Sequence, residues 1–497
     1  MNSNAANRRD LAQRRNAVDS ATEGRNQKDG SLTSRSTLVF SSKSLEALRA
    51  DLLQASPLES ACFVLARPVL TPAGGWRLIA YDVMPVADSE YALRAPERVD
   101  VPADVVARVM QRARAEKASI VITHTHPLAG TVAPSSRDRE GEGALLTAFR
   151  RRVPDVPHAR LILGADAMHT ALFDLDGAEG PLLLASLGAD ISFPAAPLGE
   201  VFLDKQVHDR QARAFGMEGQ RRLAAIRAGI VGLGGTGSIV AQELAHLGVR
   251  ELLLVDPDVL DHTNLNRLVG ARRDDLGRPK VDIARDMIHS INPAASVVTL
   301  RADICDADVV RRLLDLDLFF CCTDSQGSRA VLSQFAYQYL VPGFDLGVAV
   351  HVGPGGITHV SGRVQMLAPD LPCLQCSAVL DPEAVRRDLL DEVARAADPY
   401  VSGAAQPVPQ PAIISINGTV SSLAVTMMLS AVAGVPMAAR HLRLRLESGR
   451  VTAVVTPADP ICPSCSEVGF YRRGDAWPGP GRIRQWPSLE ARGQRQQ

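Results

Sequence analysis

Two textures of hydrophobic and polar residues divide the chain. From residue 228 onward, short apolar runs alternate with amphipathic runs of helical period. Strands are predicted at 228–233, 251–255, 297–301 and 317–322, with helices at 239–247, 281–291 and 307–314 between them, and further strands at 344–351 and 357–365. That alternation reads as an open, doubly wound α/β sheet. Upstream, strand-like runs at 61–66, 76–85 and 119–123 surround an amphipathic helix at 105–117. A helix at 139–152 and strands at 159–163 and 169–173 complete that half. The expected organisation is a disordered polar tail (1–36), a first domain (37–180), a Gly/Ala/Pro-rich linker (181–203), a second domain (204–470) and a flexible tail (471–497). The linker region could instead hold one more strand. Residues 407–439 carry no charge, and 413–428 is apolar to just short of a bilayer span. Asn417, Thr419, Ser421 and Ser422 dilute it, so a buried core helix is expected rather than a membrane segment.

The sharpest signal for chemistry begins at the end of the 228–233 strand. A glycine turn, Gly232-Leu-Gly234-Gly235-Thr-Gly237-Ser238, leads into a helix, and the next strand ends on Asp256-Pro-Asp258. Glycines let a backbone approach phosphate, the helix N-terminus attracts negative charge, and an acid after the second strand accepts from ribose. Dehydrogenases, methyltransferases and flavin enzymes share this fingerprint. The chain continues, however, with Asn264-Leu-Asn266-Arg267 and Gly277-Arg278-Pro279-Lys280. A dehydrogenase has no need of a cation at those two places, whereas a site that grips a triphosphate does.

In their order, these motifs closely resemble the adenylation domain of the ThiF/MoeB/ubiquitin-activating (E1-like) superfamily, over residues 209–465. The resemblance implies that ATP activates the C-terminal carboxylate of a ubiquitin-like protein as an acyl-adenylate. It names Gly232, Gly234, Gly235, Gly237, Asp256, Asp258, Asn264, Arg267, Lys280 and Asp324 as nucleotide-binding positions. Asp324, in Cys322-Thr-Asp324, ends a central strand and so faces the crevice where open α/β sheets bind ligands. In the family this acid holds Mg2+. Arg210, in an Arg-Gln pair ahead of the first strand, resembles an arginine that reaches the phosphates across a homodimer interface. The alternative is a solvated helix arginine.

Cysteine and histidine spacing adds two metal candidates. Cys373-x-x-Cys376 and Cys462-x-x-Cys465 can close a tetrahedral S4 site, which leaves no place for water and is structural. A redox pair is the competing reading. The superfamily carries zinc at matching positions. In the other half, His124 and His126 are two apart at a strand's end, so both imidazoles point to one face. With Asp138 they would leave zinc one open position, the arrangement of catalytic zinc. Taken alone, Ser135-Ser-Arg-Asp138 reads better as a helix cap, with His124-x-His126 incidental. Together with Glu59 these residues resemble the JAMM (MPN-type) metalloproteases, which implies an α+β, cytidine-deaminase-like domain. By that resemblance His124, His126 and Asp138 bind zinc, Glu59 is the general base, and Ser135 stabilises the oxyanion. The loop from His126 to Ser135, with Gly130 and Pro134, is one residue longer than in that family.

Net charge changes the picture little: −1 over 497 residues gives no basic field for nucleic acid. Eight cysteines, half of them in the two C-x-x-C pairs, fit a reducing, cytoplasmic compartment better than a disulfide framework. The N-terminus lacks the apolar stretch of a secretory signal. No cysteine lies in 381–411, where relatives that form a thioester often carry one. The combined expectation is an adenylating enzyme fused to a zinc isopeptidase that trims or deconjugates the same ubiquitin-like partner. A conjugating enzyme is a further candidate partner. Activation of a sulfur-carrier protein for biosynthesis, a dead binding scaffold and a nicotinamide dehydrogenase are the alternatives.

Overall fold

The computed structural model describes residues 32–128, 132–192, 204, 206–391, 393–394 and 411–482. Most of the expected N-terminal tail, Gly130, the proline-rich loop before 411 and residues 483–497 lie outside the described residues. Contacts divide the chain into two units. The first takes in the described residues up to 192 and Arg472–Trp477, and the second takes in the rest.

The first unit is built on a nine-stranded mixed sheet. Its elements are β1 (Thr37–Ser41), α1 (Ser42–Leu53), β2 (Ala61–Leu70), β3 (Trp76–Pro85), β4 (Leu93–Ala95), β5 (Arg98–Asp100), α2 (Ala103–Glu116), β6 (Ser119–His126), α3 (Ser136–Arg152), β7 (His158–Gly164), β8 (Met168–Phe173), β9 (Glu179–Gly180), β10 (Leu183–Leu187) and β11 (Ile191–Ser192). Strand order is β11-β10-β1-β3-β2-β6-β7-β8-β9, with β4 and β5 as a separate pair. Period-2 alternation along β2 gives the sheet two apolar faces. Cys62, Val64 and Ala66 join a cluster with Leu45, Leu48 and Leu52 of α1. Phe63 and Leu65 join another with Val105, Val106 and Val109 of α2 and Phe149 of α3.

Three boundaries differ from expectation. Residues 181–203, expected as a linker, begin with β10, which pairs in parallel with β1. Its Leu-Leu-Ala-Ser-Leu run is hidden in the sequence by the flanking glycines, alanines and prolines. Strand β6 continues through both histidines instead of stopping before them, because β2 partners it as far as His124 and β7 as far as His126. At the C-terminal end, residues 472–482 are not a free tail. Gly474 opens a short 3-10 turn, and a Cβ there would lie 3.0 Å from Val69 of β2.

The second unit comprises α4 (Asp209–Ala225), β12 (Arg227–Val231), α5 (Gly235–His246), β13 (Glu251–Val255), α6 (Lys280–Ile291), β14 (Ser296–Leu300), α7 (Ala307–Arg311), β15 (Leu318–Cys321), α8 (Gln326–Tyr339), β16 (Gly343–Gly353), β17 (Gly356–Leu367), α9 (Pro382–Leu389), α10 (Ile414–Ala433), β18 (His441–Arg445) and β19 (Arg450–Ala453). Strand order is β14-β13-β12-β15-β16-β17-β18-β19. The first five are parallel and the rest antiparallel. Strand order along the sheet reverses between β12 and β15 while the strands stay parallel, so the ligand crevice of such a sheet opens above that pair. Helix α10 is long and apolar enough to cross a membrane by length and composition. Here it packs in the core: Ser421 Oγ donates to Thr236 O of α5 (3.0 Å), and Val420 fills the space beside Gly362 of β17.

Candidate nucleotide crevice and metal centres

The glycine turn lies at the carboxyl end of β12, and its glycines do different work. Gly232 has φ +88°, and a Cβ there would be 2.9 Å from Cys322 O; at Gly237 a Cβ would be 1.8 Å from Gly232 O. Those two make the turn possible. At Gly234 a Cβ would meet nothing within 4 Å. The protein itself gives no steric reason for a glycine there, but a phosphate seated on the unpaired N–H groups of α5 does.

Around the turn, Asp256 is buried at the end of β13. Its carboxylate accepts from Leu233 N (2.6 Å) and Asp258 N (2.8 Å), which ties the glycine turn to the next strand. Burial raises its pKa, opposed by the charge of Lys280. Two acceptor sites of the ionised carboxylate remain for a ligand. Lys280, first residue of α6, donates from Nζ to Asp258 Oδ2 at 2.7 Å. Asn264 is buried in a short turn capped by Asp261, and Arg267 Nη1 donates to Asn266 Oδ1 (3.2 Å). Asp324 follows β15 and is exposed. Glycine turn, Asp256, Lys280 and Asp324 thus share the carboxyl edge of the parallel strands.

Arg210 is not brought to this edge. It is exposed on α4, and the adjacent Gln211 donates to His246 O at the far end of α5. At about 1.5 Å per residue, that is a helix length of ~18 Å from the glycine turn. Asn417 of α10, by contrast, lies against Gly235. The sequence reading counted it only as a polar residue that dilutes the apolar helix, and did not connect it with the glycine turn.

Four thiols converge at the other end of this unit. Cys373 Sγ is 3.6 Å from Cys462 Sγ, and Cys376 Sγ is 3.6 Å from Cys465 Sγ. All four sulfurs lie within 4.8 Å of one another. The spacing suits tetrahedral thiolates about 2.3 Å from a zinc ion. Asp459 N and Ser464 N donate to the Cys376 and Cys462 sulfurs, both at 3.4 Å. The Cys465 thiol, aided by backbone N–H groups, holds the Cys373 thiol below its ordinary pKa despite burial. The donor set fits a structural zinc.

In the first unit, His124, His126 and Asp138 offer three ligand atoms that converge. The two Nε2 atoms are 3.1 Å apart, and Asp138 lies 3.6 Å from His124 and 3.3 Å from His126. The helix cap expected of Asp138 is present, and it leaves the carboxylate near both imidazoles. Its carboxylate accepts from Ser135 N (2.7 Å) as part of a capping box, and the same group faces the imidazoles. Although burial opposes it, hydrogen bonds from His124 and His126 hold Asp138 far below the ordinary carboxylate range.

Antiparallel pairing of β2 with β6 delivers Glu59, through Ser60 N donating to Thr125 Oγ1 (2.8 Å) and Thr125 N donating to Ser60 O (2.9 Å). Glu59 Oε1 is then 3.7 Å from His126 Nε2. Burial raises the Glu59 pKa, against the charges of His126 and His124. Ser135 is exposed and its Oγ accepts from Asp138 N (3.1 Å), so its O–H is left to donate. His158 and His169 take no part: His158 Nδ1 accepts from Ile120 N (3.1 Å), and His169 lies beside Arg160.

A phosphate-accepting turn at the switch point of a parallel sheet, with an acid and a lysine on the next strand and helix, defines a Rossmann-like nucleotide-binding domain. The chain belongs to the ThiF family, matched over residues 208–464. It is 34% identical over 187 residues to the SAMP-activating enzyme E1 of Haloferax volcanii, covering 37% of this chain and 65% of that protein. It is 36% identical over 166 residues to the molybdopterin-synthase adenylyltransferase of Escherichia coli (33% and 63%). With the adenylyltransferase and sulfurtransferase uba4 of Aspergillus clavatus it shares 37% identity over 122 residues (24% and 25%). The chain therefore spans less than two thirds of the length of each of these relatives. A solved structure of E. coli MccB with MccA-N7isoASN is similar over 54% of this chain and 76% of that one, with TM-score 0.44 and 17% identity.

Proposed function

We propose that the second unit adenylates the C-terminal carboxylate of a ubiquitin-like or sulfur-carrier protein, and that the first unit hydrolyses a peptide or isopeptide bond of the same partner. The observation that carries the first part is the open space at Gly234, at the N-terminus of α5, on the sheet edge that also holds Lys280, Asp256 and Asp324. The named adenylyltransferase relatives support it.

In this reading a carboxylate oxygen of the partner attacks the α-phosphorus of ATP. The new O–P bond forms as the bond to pyrophosphate breaks, and pyrophosphate leaves with the electron pair. Two anions must meet, so positioned cations account for most of the rate. Lys280 leaves Asp258 for the phosphates, Arg267 joins it, and Asp256 takes the ribose. Asp324 would hold Mg2+, which neutralises charge on the departing pyrophosphate. Arg210, a helix length away in its own chain, would come from a second copy. No cysteine occurs between Cys376 and Cys462, which favours an adenylate that is passed on without a thioester at that loop.

In the first unit, His124, His126 and Asp138 would hold zinc, a Lewis acid toward the scissile carbonyl. Glu59 takes a proton from the attacking water and delivers it to the leaving amine as the C–N bond breaks. Ser135 donates from its hydroxyl to the oxygen that gains charge.

The decisive experiment is exchange of labelled pyrophosphate into ATP in the presence of a ubiquitin-like protein ending in glycine. Exchange should fall by about 10²–10³ in Asp324→Ala, by analogy with a lost charge-stabilising group. Exchange unchanged in that variant overturns the adenylation reading.

A further inference from the structure

Asn417 sits on the α10 face that packs toward α5, one turn before Ser421, and is only 5% exposed. Its backbone N–H is used within the helix, donating to Ile413 O at 3.0 Å. Its side-chain amide makes no hydrogen bond among the described residues, although Ser421 one turn on donates to Thr236 O. A buried amide carries two donors and an acceptor, and native structures rarely leave such groups without a partner.

The position of that amide is specific. A Cβ on Gly235 would lie 2.2 Å from Asn417 Nδ2 and 3.2 Å from Cδ of Arg267. Gly235 therefore lacks a side chain because those two donor-bearing groups occupy the space, whereas Gly232 and Gly237 serve the turn itself. Gly235 is the first residue of α5, where unpaired N–H groups and the helix dipole favour an anion. Two independent observations thus meet at one spot: a helix N-terminus of twelve residues, and a buried, unpartnered donor laid against it.

We propose that Asn417 donates from Nδ2 to a non-bridging phosphate oxygen of the nucleotide seated at the N-terminus of α5. This makes α10 the second wall of the crevice, a role that rests on the crevice being an ATP site. A neutral donor suits this position. Arg267 and Lys280 already bring charge, and an amide fixes the orientation of the phosphate without adding a further cation to be desolvated. It also links two parts of the second unit: the helix that closes over the sheet is anchored to the glycine turn through Ser421, and reads the phosphate through Asn417.

The test is binding of Mg·ATP, AMP and adenosine to the full chain by calorimetry, with Asn417→Ala, Asn417→Ser and the near-isosteric Asn417→Asp. Asn417→Ala should weaken ATP by about 10- to 100-fold, the usual worth of a hydrogen bond to a charged group, and leave adenosine unchanged. Asn417→Asp should weaken ATP more than Asn417→Ala, since it sets a carboxylate against phosphate. Asn417→Ser should recover part of the loss. Thermal melting of each ligand-free variant reports folding, and Asn417→Asp keeps the volume if the alanine variant does not fold. Wild-type protein that fails to bind Mg·ATP sinks the reading of the crevice. Wild-type binding matched by all three variants sinks the role of Asn417 alone. Equal losses for adenosine and ATP would show that Asn417 merely packs α10 on α5, and would overturn the proposal.

Discussion

In the second unit four sulfurs from two C-x-x-C turns converge, with Cys373 and Cys462 buried and backbone N–H groups aimed at two of the sulfurs. In the first unit two imidazoles and one carboxylate converge, with an unused acid, Glu59, 3.7 Å from one of the rings. The clusters differ by one donor, and that difference sorts their chemistry. Four protein ligands saturate a tetrahedral ion, so its binding energy goes into holding Cys373 and Cys465 together across a long stretch of chain. Under the proposed function, three ligands would leave room for a reactant, and the carboxyl of Glu59 beside them would serve as its base. A closed cluster supports its own fold, whereas an open one has to be supported by its surroundings.

The largest effect should come from opening the closed cluster. Structural zinc in small peptides is bound with roughly 10–16 kcal/mol, as much as the ~5–15 kcal/mol stability of a whole domain. Cys373→Ser with Cys462→Ser should therefore remove one zinc per chain by elemental analysis, and abolish the cooperative melting of the second unit. A variant that loses the zinc yet melts as before would break the comparison. Next in size is Glu59→Gln. Hydrolysis of a ubiquitin-like protein extended beyond its terminal glycine should fall by about 10²–10⁴, the usual worth of general acid–base catalysis. Zinc content and pyrophosphate exchange should not change. Loss of zinc in Glu59→Gln would instead make Glu59 a fourth ligand and erase the distinction between the two clusters.

How much of this was legible beforehand varies with the kind of signal. Sequence-local signals were readable: the glycine turn, the strand that places His124 and His126 on one face, and both C-x-x-C pairs all depend on neighbours a few residues apart. Strand β10 was readable only as the alternative to a linker, because its short apolar run gains its identity from parallel pairing with β1, far away in sequence. Asp138 shows a different limit. Its spacing from Ser135 predicts a cap, and the structure contains that cap, yet the fold turns the same carboxylate toward the imidazoles. Asn417 was hidden because its neighbour, Gly235, lies on another helix. Arg210 fits the motif order but lies far along α5 from the turn, a distance that motif order does not carry.

If the open cluster depends on its surroundings, the supports should be measurable. Arg160 of β7 is 1% exposed, and its Nη1 donates at 2.7 Å to Glu142, one turn beyond Asp138 on α3. Glu179 accepts from its Nη2. Arg160→Met should leave Glu142 buried and unpaired, and cost roughly 3–5 kcal/mol in denaturant unfolding of the first unit. Adding Glu142→Gln should return part of that loss, while the four-thiol cluster keeps its zinc. Full stability in Arg160→Met would mean that the ion pair does not hold α3 in place.

The smallest effect concerns His158, which packs with its ring centroid 5.5 Å from that of Phe149 and accepts from Ile120 N one strand away, on the strand that carries His124 and His126. Burial lowers its pKa from 6.5 to about 4. Above pH 6.5 the ring is neutral whether the chain is folded or unfolded, and its contribution is complete. Between pH 6.5 and about 4 the unfolded chain takes up a proton that the folded chain refuses, so stability falls with pH across that window, by up to about 3 kcal/mol. Protonation of Nδ1 would also remove the acceptor that holds Ile120 N. An asparagine side chain at this position would keep an acceptor near the place of Nδ1 without a titrating group. His158→Asn should therefore flatten the decline in unfolding free energy over that pH range, followed by denaturant titration of the first unit. A decline as steep in the variant as in the wild type would assign it to the carboxylates, and would leave the ion pair of Arg160 with Glu142 as the main support of the open cluster.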